Sequence, residues 1–267
     1  MAKTQSLMAI VEKEKLTEDI YRIKLKYGRE AKIEDIIPGQ FVGVYPPQKD
    51  KILPRPVSIC DFEKEERLIT LVFRTAGCGT RDIASLREGD ELKVLGILGN
   101  GYDIEQLRGK KTALLGGGIG IPPMLYLAKK LSGIADVTCY MGYRDSHTFL
   151  LDDFKAASKT VTATEDGSIG VKGNVLDALQ ADAQKGTFPE ALCACGPLPM
   201  LRAVQRFAAE RDILCFLSLE ERMACGVGAC LGCVCRTVSE DEHFGVPLAR
   251  VCTDGPVFEQ SQVVLEW

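Results

Sequence analysis

The sequence predicts a multidomain β plus α/β protein of three units in series. An antiparallel β-barrel spans residues 1–108, a parallel α/β unit spans 109–218, and a small cysteine-rich unit spans 219–267. Three observations predict this. The first hundred residues carry short apolar segments of period two, separated by turns. After Gly109, short apolar runs alternate with stretches of three- and four-residue spacing. The last 43 residues hold five of the 11 cysteines and are too short to build a large core. With 46% hydrophobic and 26% charged residues, a 267-residue chain suits two ordinary domains and an appendage, and is not disordered.

In the first unit, Met1 to Ser6 lead into a strand-like run with no signal-peptide core. Tyr21, Ile23 and Leu25 alternate with Arg22, Lys24 and Lys26, the pattern of a half-buried strand. A strand over 41–45 follows the turn Pro38-Gly39. Residues 68–74 and 93–95 read as further strands, the latter entered through Glu88-Gly89-Asp90. One short helix interrupts, around 80–86. Short strands at this spacing suggest a barrel or a sandwich.

In the second unit, the apolar strand 112–115 runs into Gly116-Gly117-Gly118-Ile119-Gly120 and then a helix marked by Met124, Leu127, Ala128 and Leu131. Segments 137–140, 161–164, 175–179, 191–195 and 200–209 continue the alternation, which argues for a parallel sheet. The uncharged stretch 112–128 contains six glycines and prolines, so it reads as a phosphate loop and no membrane span is expected.

A net charge of −4 lacks the basic surplus of a nucleic-acid binder. The charge is uneven: 219–267 carries 8 acidic and 3 basic residues. Either this is a solvated acidic surface or it steers a partner. With no export signal, a cytoplasmic location with reduced thiols is expected. Clustered cysteines then suggest metal ligands and not a disulfide framework.

Cys225, Cys230 and Cys233 form C-x4-C-x2-C, and 18 residues separate Cys233 from Cys252. That is the plant-type [2Fe–2S] spacing. Gly226, Gly228 and Gly232 allow the loop to wrap closely round a cluster. A zinc site would need a second knuckle, which is missing, and a set of buried thiols is the other alternative. Cys235 competes with Cys252 as fourth ligand. Only one residue separates it from Cys233, so it reads as packing.

Arg55-Pro56-Val57-Ser58 offers an extended arginine for a phosphate and a hydroxyl for a flavin ring edge. Gly77-Cys78-Gly79-Thr80 opens the short helix, a place for a pyrophosphate. Arg55, Pro56, Val57, Ser58, Gly79 and Thr80, with Val72, Phe73 and Arg74 on the strand between, are the candidate FAD residues. An ordinary Arg-Pro surface turn is the bland alternative. Gly116, Gly117, Gly118 and Gly120 make a Rossmann-like turn for a nicotinamide dinucleotide. Cys195, Gly196 and Pro197 make a second strand-to-helix turn. Cys195 lines the nicotinamide site or is a core thiol. The histidines, His147 and His243, lie beside no nucleophile motif, and no catalytic side chain is assigned. The cofactors carry the chemistry.

R-P-x-S, G-x-G-T, G-G-G-I-G and C-G-P in this order resemble the ferredoxin reductase-like flavoproteins. The phrase from Glu221 to Cys233, with Glu165-Asp166-Gly167-Ser168 and Gly170-Val171-Lys172-Gly173, is similar to the electron-transfer subunits of class 1B dihydroorotate dehydrogenases, over essentially the whole chain. The resemblance implies FAD in the barrel, NAD on the α/β unit and a C-terminal [2Fe–2S] cluster. It also implies a TIM-barrel catalytic partner with FMN that oxidises dihydroorotate in pyrimidine biosynthesis, in a heterotetramer of two of each subunit. Physically, nicotinamide exchanges hydride, a cluster exchanges single electrons, and flavin does both. The other readings are a subunit of another NAD(P)H-dependent ferredoxin or sulfide reductase, and a redox-sensing module. The residues leave NAD against NADP open. Arg144 either meets a 2′-phosphate or is surface, and the lean to NAD comes from the resemblance.

Overall fold

Six strands close into an antiparallel barrel: β1 (Gln5–Lys15), β2 (Ile20–Lys26), β3 (Phe41–Val44), β4 (Arg55–Glu63), β5 (Leu68–Arg74) and β6 (Glu91–Leu98), ordered β1-β2-β5-β4-β3-β6. The computed structural model describes residues 4–28, 35–48, 50–184, 186, 188–240 and 245–265. His243 lies outside them. Side-chain alternation sorts the strands. On β2, Ile23 and Leu25 fill the barrel with Met8, Ile10, Ile59 and Leu71, while Lys26 is exposed. Register shifts at Ile10/Glu12, Phe41/Gly43 and Ile59/Asp61 bend the strands towards closure. The sequence reading placed no strand at β4, where Pro56 sits opposite Gly43. Pro56 is the second residue of its strand, where a missing N–H disturbs the ladder least.

Helix α1 (Cys78–Ser85) is the only helix among the described residues between β1 and β6. The Lys13 ammonium donates to the carbonyls of Ala84 and Leu86 at its end, complementing the negative pole of the helix. A single-turn helix, α2 (Ile104–Leu107), capped by the Asp103 carboxylate, then leads to the second unit.

That unit is built from β7 (Lys111–Gly117), α3 (Ile121–Leu131), β8 (Asp136–Tyr143), α4 (Leu151–Ala157), β9 (Lys159–Thr164), β10 (Val171–Lys172), α5 (Val175–Ala183), β11 (Ala191–Cys195), α6 (Leu198–Ala209) and β12 (Leu214–Ser218). β7 is buried from Thr112 to Gly117, as a strand covered on both faces must be. The sheet runs β10-β9-β8-β7-β11-β12, all parallel. The order of strand addition reverses between β7 and β11, which opens a crevice at their carboxyl ends.

The tail forms a two-stranded ladder, β13 (Val234–Arg236) and β14 (Leu248–Arg250). It then returns as β15 (Val257–Glu259), which pairs antiparallel with β12 at the edge of the large sheet. The three segments share cores. Phe41 and Leu98 of the barrel cluster with Leu217 and with Cys233, Cys252 and Phe258 of the tail. Tyr126 of α3 reaches the barrel core and donates to Ile36 O at 2.8 Å. No helix among the described residues is long and apolar enough to cross a membrane.

Candidate functional site

A cavity of about 340 Å³ opens where the barrel, the α/β sheet and the tail meet. β4 gives it Pro56, Val57 and Ser58, β5 gives Val72, Phe73 and Arg74, and α1 gives Thr80. Ile119, Pro123 and Ser218 come from the α/β unit. Leu219, Glu220, Glu221, Met223 and Pro256 close it from the C-terminal side. Arg55 lies against α1. A Cβ on Gly79 would stand 2.6 Å from Arg55 Nε and Nη2, so glycine leaves the guanidinium where it is and any larger residue would push it aside. Gly77 has no side chain with which to cap α1, and its N–H donates to Thr80 Oγ1 at 3.1 Å. Uncapped first-turn N–H groups beside a guanidinium form an anion site. An apolar slot with an anion site at one end fits a flavin dinucleotide.

A second cavity, about 510 Å³, lies at the carboxyl ends of β7, β8, β9 and β11. Gly117, Gly118 and Pro197 line it, with Gly142 to Asp145, Glu165 and Asn174. Gly116, Gly120 and Gly196 pack behind the lining. A Cβ on Gly120 would be 2.4 Å from Cys195 O, so the start of α3 rests directly on the end of β11. The Cys195 thiol is 1% exposed and shares a core cluster with Cys193 and Tyr102, so this residue contributes its carbonyl to the turn. Thr17, Asp19 and Ile20 reach across from the barrel. Arg74 lines both cavities, and its Nε is 3.1 Å from Asp19 Oδ2. The two cavities therefore meet at one guanidinium. His147 sits in the second cavity beside Asp145.

The tail cysteines form two neighbouring pairs. Cys225 neighbours Cys230, and Cys233 neighbours Cys252. Burial pushes the Cys225 thiol up, but the N–H groups of Val227, Cys230 and Ala229 outweigh it and bring the thiol down to about 6. Burial and the Cys233 thiol push Cys252 up to about 12. Val227 N–H donates to Cys225 Sγ and Gly232 N–H to Cys230 Sγ, both at 3.4 Å. Gly226 (φ +67°) precedes Val227 and Leu231 (φ +56°) precedes Gly232, so left-handed backbone stands before each of these amides. Among the described residues no three His, Cys, Asp or Glu side chains converge on one ion. A [2Fe–2S] cluster does not ask for that, because it presents two thiolates to each of two irons, and two pairs fit it. Cys235 stands apart on β13, 6% exposed, its thiol pushed up to about 11 by burial.

The model of the iron–sulfur cluster binding domain of dihydroorotate dehydrogenase B matches residues 220–264. The dihydroorotate dehydrogenase B (NAD(+)) electron transfer subunit of Enterococcus faecalis is 39% identical over 269 residues, covering 99% of this chain and 100% of that protein. The chain belongs to the family of dihydroorotate dehydrogenase B electron transfer subunits. The family's subunit from Caldanaerobacter subterraneus is 41% identical over 227 residues, 85% of this chain and 87% of that protein. Among solved structures, a chain of the NADH-dependent reduced ferredoxin-NADP oxidoreductase is 28% identical with a TM-score of 0.82, covering 97% of this chain and 90% of that one. The ferredoxin NADP+ reductase of Neisseria gonorrhoeae shares the fold, with a TM-score of 0.62 at 15% identity over 78% of this chain and 91% of that one.

Sequence reasoning missed the C-terminal wall of the first cavity and the barrel's contribution to the second. Neither Pro256 nor Asp19 belongs to a motif. Their positions depend on contacts across the whole chain, such as Asn100 with Val257.

Proposed function

We propose that this chain is the electron-transfer component of a two-subunit dihydroorotate:NAD⁺ oxidoreductase. The residues from Cys225 to Cys252 would hold a [2Fe–2S] cluster facing a catalytic subunit with FMN, and the first and second cavities would hold FAD and NAD⁺, which together would supply the electron route. One observation carries this reading: the three candidate sites are contiguous. Arg74 lines both cavities, and Met223, which lines the first, is two residues from Cys225. Bound FAD supplies the exchange between single electrons and hydride.

The chain's residues bind, orient and seal. Arg55 and the start of α1 hold the flavin pyrophosphate, with Gly79 and Thr80 at the helix start. Pro56, Val57, Ser58, Val72 and Phe73 flank the ring and exclude water. Gly117 and Gly118 let the nicotinamide pyrophosphate approach the backbone, and Gly116, Gly120, Cys195, Gly196 and Pro197 shape the turns behind it. Cys225, Cys230, Cys233 and Cys252 ligate the cluster, and the amides of Val227 and Gly232 stabilise charge on the sulfurs. The functional limits are 1–108 for FAD, 109–218 for NAD and 219–267 for the cluster. The partner is a TIM-barrel subunit, the assembly holds two of each, the location is cytoplasmic, and the acidic tail aids docking.

A second reading, a subunit of another NAD(P)H-dependent ferredoxin reductase, draws on the likeness to the ferredoxin-NADP oxidoreductase chain. Reconstitution separates the two. The isolated chain is expected to reduce dyes with NADH and to leave dihydroorotate untouched. Adding the FMN-containing subunit should create dihydroorotate:NAD⁺ activity. Cys225→Ser or Cys233→Ser should lower iron content and abolish that coupled rate, yet largely keep NADH-to-dye turnover. Dihydroorotate oxidation by the isolated chain, or full coupling without a cluster, would sink the proposal.

A further inference from the structure

The crevice at the ends of β8 and β9 holds charged side chains that its glycine turns do not use. Glu165 N–H donates to Tyr143 O at 3.2 Å, and Asp166 N–H to Arg144 O at 3.4 Å. The ladder thus extends past both strands and brings Arg144, Asp145 and Glu165 to one corner of the cavity. Asp145 follows Gly120 by 25 residues, at the end of the strand after the glycine turn. In dinucleotide folds an acidic residue roughly 20 residues on from that turn lies beside the adenosine ribose.

The Asp145 carboxylate is fixed in place. Its Oδ1 accepts from the His147 backbone N–H at 2.8 Å, with the ring Nδ1 at the same distance. Its Oδ2 has no hydrogen-bond partner among the described residues. The His147 backbone and ring bonds hold this carboxyl below the usual carboxylate range, so it is charged at neutral pH. Asp166 lies close enough to feel its repulsion. Asp145 and Glu165 therefore share this corner of the cavity with Arg144, which is exposed. A ribose diol would find acceptors here, and a 2′-phosphate dianion would meet like charge.

We propose that Asp145 is the residue that selects the nicotinamide nucleotide. Its free oxygen accepts from the ribose 2′-hydroxyl, and with Glu165 it repels a 2′-phosphate, so that Arg144 does not act as a phosphate clamp. The proposal rests on reading this crevice as the nicotinamide site.

Calorimetry on the anaerobic holoprotein tests it with three probes: ADP-ribose, 2′-phospho-ADP-ribose and 2′-deoxy-ADP-ribose. Wild type should bind ADP-ribose much more tightly than its 2′-phosphate. Asp145→Ala should weaken ADP-ribose about tenfold to a hundredfold, the scale of one lost charge-assisted hydrogen bond. The same variant should leave the 2′-deoxy probe unchanged and strengthen the 2′-phospho probe. Asp145→Asn, which keeps a neutral acceptor, should fall between, and Arg144→Ala should keep the preference. A preference unchanged in Asp145→Ala, or one that vanishes with Arg144→Ala, overturns the assignment. If wild type binds none of the probes, the reading of the crevice fails with it.

Discussion

At Gly79 a methyl group would sit 2.6 Å from the Arg55 guanidinium. The two residues therefore act as one device. Glycine leaves the space, arginine fills it, and the start of α1 adds free amides. Arg55→Ala removes a charge-assisted contact worth about 1.5–3 kcal/mol, or about tenfold to a hundredfold in FAD affinity. Gly79→Ala should cost a similar factor by displacing the guanidinium. Because the two changes disable the same contact, the double variant should be little worse than either one. Equilibrium dialysis of FAD against all three variants measures this, and fully additive losses would refute it.

One barrel side chain makes three of the bonds that hold the segment after Cys252. Asn100 Nδ2 donates to Asp254 O at 3.0 Å and to Val257 O at 2.8 Å, and its Oδ1 accepts from Val257 N at 2.9 Å. Asn100 N adds a bond to Gly255 O at 2.7 Å. This clamp places Pro256 in the wall of the first cavity and steadies the chain that carries the buried Cys252. Asn100→Ala removes three bonds of about 0.5–1.5 kcal/mol each. The segment should then open at least tenfold more often, because a tenfold change needs only about 1.4 kcal/mol. Faster iron release to a chelator would report it, with Lys155→Ala, exposed on α4, as a control away from the clamp. Equal release rates in wild type and Asn100→Ala would show that the clamp does not guard the cluster.

At the scale of the molecule, legibility followed range. The strand at β2 and the α/β alternation were readable because alternation and helical spacing are local, and so was the C-x4-C-x2-C loop. β4 was hidden by Pro56, which argues locally against a strand, yet falls where a strand tolerates it. The three-residue strands β13 and β14 carry too few residues for a period to register. Burial of the Cys195 thiol was invisible because it depends on Tyr102 and Cys193 closing around it.

The return of β15 to β12 has a consequence for any attempt to treat the cysteine-rich tail as a detachable module. Among the described strands, β15 is what covers the outer side of β12. Cutting the chain before Leu219 would strip that cover and leave five residues of apolar strand, Leu214 to Ser218, with an open row of amide and carbonyl groups. The cut would also remove Leu219, Met223 and Pro256 from the wall of the first cavity, where flavin is proposed to bind. A shortened chain should therefore lose FAD and self-associate through β12, in contrast to a cluster-free cysteine variant of full length. Size-exclusion chromatography with flavin absorbance distinguishes the two, and a monomeric, yellow fragment would show that β15 is not needed as a cover.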